Sequence, residues 1–427
     1  MTESLASFVV VQYSVFYLLH RSPQLKNLII FISAVFLLLI AGCSVTEPEP
    51  TTTPIPPTNT PVPPTNTPAP PALSEIASES LTIDLGDFQT KAELTYPVDG
   101  DGVYPTIILL HGSAPADMDY HRYSSWGEQE LLSNNFLDIA NYLTPRGFSV
   151  LRFNKHYVIG PQEVAWDKYS QNVTLQLLLE DAEKVLTVAK ANPHVDDKNI
   201  FILGWSEGSV IGAALSAQHP ELAGLVLQGP VSLPDRENWK RQILDAGVPY
   251  LRSFSTEGRV TSDVIENAIV GSGGEVSKRS VWFFIDPVAA ERGDIAINAE
   301  LDLNGDGAIS INDEFLPELE NLLDIEYGKA YMYASENALP STTQQAANIE
   351  VPVLILQGEN DSATAEKDVH LLEQALELAD HSDYQLIIYP GLGHSLGPAE
   401  TLIKDNFRPI EQRPLEDLVI WLRDHSR

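Results

Sequence analysis

Cysteine is almost absent from this chain. Cys43 is the only one in 427 residues, so no disulfide can close within it. Basic residues are scarce as well: Lys and Arg number 26 against 59 Asp and Glu, a formal charge of −33. So acidic a surface repels nucleic acid and anionic lipid head groups, and no nucleic-acid partner is expected. Long apolar runs are missing too. The run Leu28–Ile40 falls short of a comfortable bilayer crossing. What the chain does have is 44% hydrophobic residues, enough for one large domain or two smaller ones.

Leu28–Ile40 has the length of a signal-peptide core. It ends in Ile40-Ala41-Gly42-Cys43, which resembles the bacterial lipobox. There small residues precede a cysteine that is lipidated and becomes the new N-terminus. The alternative is an uncleaved anchor helix with a buried thiol. Either way the chain is expected to be extracytoplasmic and tethered to a membrane, in the first case through lipid on Cys43. Leu5–Leu19 is a second apolar stretch, upstream of the basic flank. A signal beginning at Leu25, just before Lys26, is better proportioned, so translation is expected to begin there.

After Cys43 a Pro/Thr tract runs to Pro71 and repeats Pro-Thr-Asn-Thr-Pro at Pro57 and Pro64. It has almost nothing to bury and should form an extended spacer. The folded part is expected from near Leu81. Short strands are read at Leu81–Leu85, Ala92–Tyr96, Thr106–Leu110, Ser149–Phe153, Ala223–Leu227, Val351–Gln357 and Tyr384–Tyr389, with another through Ile200. Helical spacing marks Phe136–Leu143, Thr174–Ala191, Glu366–Leu378 and Pro414–Arg423. Strands that are continuous apolar runs, alternating with helices, predict an α/β fold: a doubly wound, mostly parallel sheet covered on both faces. Between Val231 and about Gln345 the pattern is irregular and acidic. The organisation read is 1–42 signal, 43–78 lipidated cysteine and linker, 79–230 with 346–427 as one domain, and 231–345 as an insertion.

The chemistry concentrates at Gly204-Trp205-Ser206-Glu207-Gly208. An apolar strand precedes it and a small-residue helix follows, so Ser206 stands at the apex of a sharp turn where the glycines leave room. A serine hydroxyl is a poor nucleophile at neutral pH and needs a base, itself oriented by a third group. His394, just after the last strand, is the candidate base. Asp361, just after the preceding strand, is the candidate orienter. Alone, the histidine reads as a turn residue and the aspartate as a helix N-cap; the ordered set does not. An oxyanion also needs two preorganised donors. The backbone N–H of Glu207 is one candidate and that of Ser113, with Ala114 next, in His111-Gly112-Ser113-Ala114-Pro115, is the other.

These residues resemble the α/β-hydrolase superfamily, and within it the secreted esterase-like branch whose first loop reads His-Gly-Ser-x-Pro, also grouped with acylaminoacyl and dipeptidyl peptidase-like hydrolases. The resemblance covers about 81–228 and 351–427. Ala114 stands where that branch usually has glycine, and Arg152-Phe153-Asn154-Lys155-His156 where it commonly reads Arg-Tyr-Asp-Lys-Arg-Gly. It implies a serine hydrolase of carboxylic esters, acting through an acyl-enzyme on Ser206. The alternatives are a serine peptidase of the same fold and, further off, a non-enzymatic calcium-stabilised binding protein. Small esters or short peptides are the expected substrates, and 231–345 becomes a cap over the site.

The insertion holds a second motif, Asp302-Leu303-Asn304-Gly305-Asp306-Gly307-Ala308-Ile309-Ser310-Ile311-Asn312-Asp313. Asp302, Asn304, Asp306, the Ala308 carbonyl and Asp313 supply oxygens at the spacing of an EF-hand-type calcium loop, with Gly307 at the bend. Asp at the last position looks more like dockerin loops, and Glu314 stands ready as a substitute. The alternative is a plain acidic Asn-Gly/Asp-Gly turn; the expectation is a structural Ca2+ that stiffens the cap, with no organic cofactor.

Overall fold

Eight strands form one sheet in the computed structural model, which describes residues 73–98, 102–126, 130–329, 332 and 337–427. Cys43, the signal segment and the Pro/Thr tract lie outside the described residues. The strands are β1 (Ile76–Asp84), β2 (Gln89–Pro97), β3 (Tyr104–Leu110), β4 (Ser149–Phe153), β5 (Val195–Trp205), β6 (Gly224–Gln228), β7 (Val353–Gly358) and β8 (Tyr384–Tyr389). Their order is β1-β2-β4-β3-β5-β6-β7-β8. From β4 to β8 every pairing is parallel, while β2 runs antiparallel to both neighbours. β3, β4, β6 and β7 are buried almost throughout, as continuous apolar runs in a doubly covered sheet must be. β1 alternates between exposed and half-buried residues, as an edge strand with one wet face does. It begins at Ile76, five residues ahead of the strand read at Leu81, because the alternation upstream is too polar to register as an apolar run.

The helices are α1 (Asn135–Leu143), α2 (Leu175–Ala191), α3 (Glu207–Gln218), α4 (Asp235–Gln242), α5 (Ser262–Val270), α6 (Leu316–Lys329), α7 (Glu366–Leu378) and α8 (Gln412–His425), of which α1, α2, α3, α7 and α8 cover the two faces of the sheet. One face packs Ile108, Ile202, Leu225 and Ile355 against Leu178, Ile211 and Leu372. The other packs Ile107, Phe201, Val226 and Leu354 against Phe136, Ile139, Leu418 and Leu422. α4, α5 and α6 belong to the segment 231–345. That segment is not irregular: it is largely helical, around its own cluster of Leu251, Ile265, Phe284, Ile309, Phe315 and Leu323. Its helices are short and interrupted, which is why periodicity over a long window missed them. Among the described residues no helix is long and apolar enough to cross a membrane.

Candidate active site

Ser206, Asp361, His394 and the 111–115 loop all follow parallel strands, β5, β7, β8 and β3, at their C-terminal ends. In an open parallel sheet that edge is where loops can converge without crossing the layers. Ser206 has φ 56°, ψ −122°, a strained conformation that a side chain rarely adopts, and α3 begins at the next residue. The turn closes only because of its glycines. A Cβ on Gly204 would stand 2.2 Å from the Gly208 carbonyl oxygen, and one on Gly208 would stand 2.3 Å from that of Leu110.

The base and its orienter are joined directly. His394 Nδ1 lies 2.8 Å from Asp361 Oδ2, with both side chains buried. Asp361 also accepts from the Ala363 and Thr364 N–H groups at 2.8 and 2.7 Å, from Thr364 Oγ1 at 2.9 Å and from Gln357 Nε2 at 3.2 Å. It therefore braces its own loop and still offers an oxygen to the histidine; the N-cap of the helix that follows is Ala365, not Asp361. With Nδ1 donating to a carboxylate, His394 Nε2 is left as the acceptor. Trp205 Nε1 donates to the His394 carbonyl at 3.0 Å, tying the base loop to the residue before the nucleophile. Ser206 Oγ makes no hydrogen bond to another described side chain; such contacts commonly tighten only once substrate is bound.

Asp405, which the sequence reading did not single out, holds the two triad loops together. Its carboxylate accepts from Ser362 N and Oγ and from His394 N, at 3.1, 3.0 and 3.0 Å, and from Phe407 N at 3.2 Å. Burial raises its pKa above the usual carboxylate range, and the Asp361 charge adds to that. A Cβ on Gly393 would stand 2.2 Å from Asp405 Oδ1. No spacing rule marks this residue, because its role is set by two loops that meet only in three dimensions.

Ser113 is exposed in the loop after β3, and Glu207 is the first residue of α3, where backbone N–H groups point out of the helix end. A Cβ on Gly112 would stand 3.0 Å from Ser206 Cβ, so the loop runs against the nucleophile. Beneath it His111 lies among Tyr120, Phe136 and Phe153, and burial pushes its pKa down to about 3, leaving the imidazole neutral. The segment after β4 underpins this loop. Arg152 pairs with Glu93 and Asp119, Asn154 Oδ1 accepts from Met118 N at 2.8 Å, and buried Lys155 reaches Gly112, Ala114 and Glu207.

Among the described residues no three His, Cys, Asp or Glu side chains converge as a ready metal site. In the 302–313 loop, Asp302 accepts from Asp306 N and Gly307 N at 3.1 and 3.0 Å, and Asn304 Oδ1 accepts from Asp306 N at 2.9 Å. Arg259 is paired with Asp306 at 2.8 Å. Asp313 is turned away to Ser310 Oγ at 2.9 Å, while the buried Glu314 accepts from Asn304 N and Ser310 N at 3.2 and 2.6 Å. The loop thus has the bend and the oxygens that a cation would use. Glu314, rather than Asp313, is the acid turned into it, and an arginine holds one of the expected ligands.

Residues 325–407, which include Asp361, His394 and Asp405, match the model of the Dienelactone hydrolase family. Esterase EstD of Thermotoga maritima is 22% identical over 339 residues, covering 77% of this chain and 64% of EstD. The chain therefore spans less than two thirds of that relative. Both sequence matches are to hydrolases, and neither is long or close enough to assign membership. The sheet order, the strained serine turn and the strand-end triad decide the architecture. This is the α/β-hydrolase fold. Solved structures similar to the chain include the proline iminopeptidase of Mycobacterium smegmatis, 18% identical with a TM-score of 0.46, covering 81% of this chain and 98% of that one. Another is the dipeptidyl peptidase 4 of Porphyromonas gingivalis, 16% identical with a TM-score of 0.44, covering 82% of this chain and 36% of that one.

Proposed function

We propose that the chain is a serine hydrolase that cleaves carboxylic esters through an acyl-enzyme on Ser206. One observation carries the reading: a buried histidine bonded at 2.8 Å to a fully buried carboxylate, on the sheet edge that presents Ser206 at φ 56°. Ser206 Oγ attacks the ester carbonyl carbon and its proton passes to His394 Nε2. Asp361 holds the ring and stabilises the imidazolium. The Ser113 and Glu207 N–H groups receive the oxyanion. Collapse expels the alcohol, which takes the proton from His394, and water repeats the sequence to release the acid. Esters fit because no further group is needed to activate the leaving alkoxide beyond that proton. The match to an esterase supports the same substrate class.

A panel of p-nitrophenyl esters and aminoacyl p-nitroanilides tests this. Ser206→Ala and His394→Ala are expected to lower kcat by about 10⁴-fold or more on the esters, since the triad acts as a unit. A fluorophosphonate should label wild type at Ser206. Full labelling of Ser206→Ala would remove the reading, and higher kcat/KM on the anilides would make the enzyme a peptidase.

Two further proposals concern setting. Lipid on Cys43 tethers the mature chain to the outer face of a bacterial membrane, with the Pro/Thr tract as spacer; Cys43→Ser should release active protein. Pelleting of that variant with membranes after a high-pH wash would contradict it. The loop 302–313 binds a structural Ca2+ through Asp302, Asn304, Asp306, the Ala308 carbonyl and either Asp313 or Glu314, once Arg259 swings off Asp306. Oxygen donors of this kind suit a hard cation, and the proposed triad chemistry needs no metal.

A further inference from the structure

We infer that Lys155 is the positioning residue of the oxyanion hole, setting the orientation of the Gly112–Ser113 peptide so that the Ser113 N–H faces the substrate carbonyl oxygen. The inference rests on the acyl-enzyme reading above.

Lys155 follows β4 and is 2% exposed. An ammonium is costly to bury unless its donors are met. Lys155 has three, and each finds an acceptor: the Gly112 carbonyl at 2.9 Å, the Ala114 carbonyl at 3.3 Å and Glu207 Oε1 at 2.8 Å. Two of those acceptors belong to the loop that offers one oxyanion donor. The third belongs to the residue whose backbone offers the other.

The peptide geometry turns this contact into a statement about catalysis. There are no cis peptide bonds among the described residues, so the C=O of Gly112 and the N–H of Ser113 point in opposite directions. Drawing the carbonyl down onto Lys155 therefore turns the N–H away from it. The loop needs such a restraint. Ala114 has φ 70°, a conformation costing a non-glycine residue about 1 kcal/mol, and Ser113 itself is exposed. Its contact from the other side is a long one, Tyr120 Oη to the Ser113 carbonyl at 3.5 Å. Gly112 itself lies close against the nucleophile, where an added Cβ would stand 3.0 Å from Ser206 Cβ. A loop released from Lys155 can rotate its peptide without leaving this contact, and rotation alone removes the donor.

The simpler role for Lys155 is to neutralise Glu207, and the test separates the two. Lys155→Met is compared with the double variant Lys155→Met/Glu207→Gln, which leaves no buried unpaired charge, and with Lys155→Arg. Each is assayed in the full chain on a p-nitrophenyl ester. The Ki of a trifluoromethyl ketone with the same acyl group is measured in parallel; its hemiketal with Ser206 carries the oxyanion. In the double variant kcat should fall about 10²-fold, the size of losing one oxyanion donor, with KM within about 3-fold. The trifluoromethyl ketone should weaken by the same factor. Lys155→Arg, which keeps charge but cannot direct three donors from one nitrogen, should show the same split at smaller amplitude. The inference is overturned if the double variant has wild-type kcat, or if kcat falls while the trifluoromethyl ketone binds as before. Ser206→Ala distinguishes the layers. If it stays active, the acyl-enzyme reading fails; if it is dead and the double variant is fully active, only the role given to Lys155 fails.

Discussion

At the scale of single residues, Asp361 and Asp405 show how differently two buried carboxylates can be legible. Asp361 sits in the loop just after β7, so its position could be argued from sequence. Asp405 could not. Removing its carboxylate strands the N–H groups of Ser362, His394 and Phe407, each costing about 1–3 kcal/mol when buried unpaired. Asp405→Ala should therefore lower stability by about 3 kcal/mol or more in urea titrations. It should also cost kcat at temperatures where the variant is still folded, because the two triad loops lose their common anchor. A variant with full kcat and wild-type stability would show that the bonds contribute nothing. Asp235 gives a pH test. Burial, with the charge of Glu207 adding, raises its carboxyl to about 7. A carboxyl raised in the folded state costs nothing while it is protonated in both states. Its cost grows as pH climbs from the ordinary carboxylate value near ~4 through 7. Asp235→Asn should match wild-type melting near pH 4 and melt higher at pH 8. Equal gains at both values would count against the shift.

At the scale of elements, the turn from β5 into α3 is the least forgiving part of the chain. Gly208→Ala puts a methyl 2.3 Å from the Leu110 carbonyl oxygen, backbone that cannot move without opening β3 against β5. It should destabilise by more than about 4 kcal/mol or yield no folded protein. α2 behaves in the opposite way. Thr174 caps it by accepting from Leu177 N at 3.0 Å, away from the site. Thr174→Ala should cost about 1 kcal/mol in melting experiments and leave kcat and KM unchanged. A change in kcat there would mean that α2 is coupled to the triad.

At the scale of the molecule, segment 231–345, read as the cap, contacts the loop that carries Asp361 and the segment that follows β3. Gln242, at the end of α4, donates to the Ala363 carbonyl at 2.7 Å, two residues past Asp361. Glu275 accepts from Ser125 N at 3.1 Å, and Trp126 stacks on Trp282 with centroids 5.3 Å apart. Stiffening the cap should therefore be felt at the site through substrate binding more than through chemistry. Calcium should raise the melting temperature, by about 2.7 kcal/mol of stability at a hundredfold excess over Kd, and EDTA should reverse it. Arg259→Ala should tighten calcium in calorimetry, since the cation no longer displaces a guanidinium from Asp306. No heat of binding in either protein would end the calcium proposal, and recovery of kcat from near zero on adding calcium would place a metal in the mechanism.

Much was determined by the sequence alone, wherever a physical rule acts over a few residues. Apolar runs of five or six place β3, β6, β7 and the second half of β5, because a strand covered on both faces has few polar positions to show, whereas β8, at the edge of the sheet, keeps Gln385 exposed. Gly204, Ser206 and Gly208 mark the sharp turn because little else fits there. Ser206, Asp361 and His394 then fall together because each follows a parallel strand that ends at the same edge of the sheet. Tertiary structure decided what depends on distant segments meeting. The helices of the cap are stabilised by their own cluster rather than by periodicity. Asp405 bridges loops from β7 and β8. Lys155, in a segment that departs from the Arg-Tyr-Asp-Lys-Arg-Gly of the similar branch, is a buried link between the β3 loop and α3. A charge can be buried only where its partners converge, and that convergence is a property of the fold rather than of any stretch of chain.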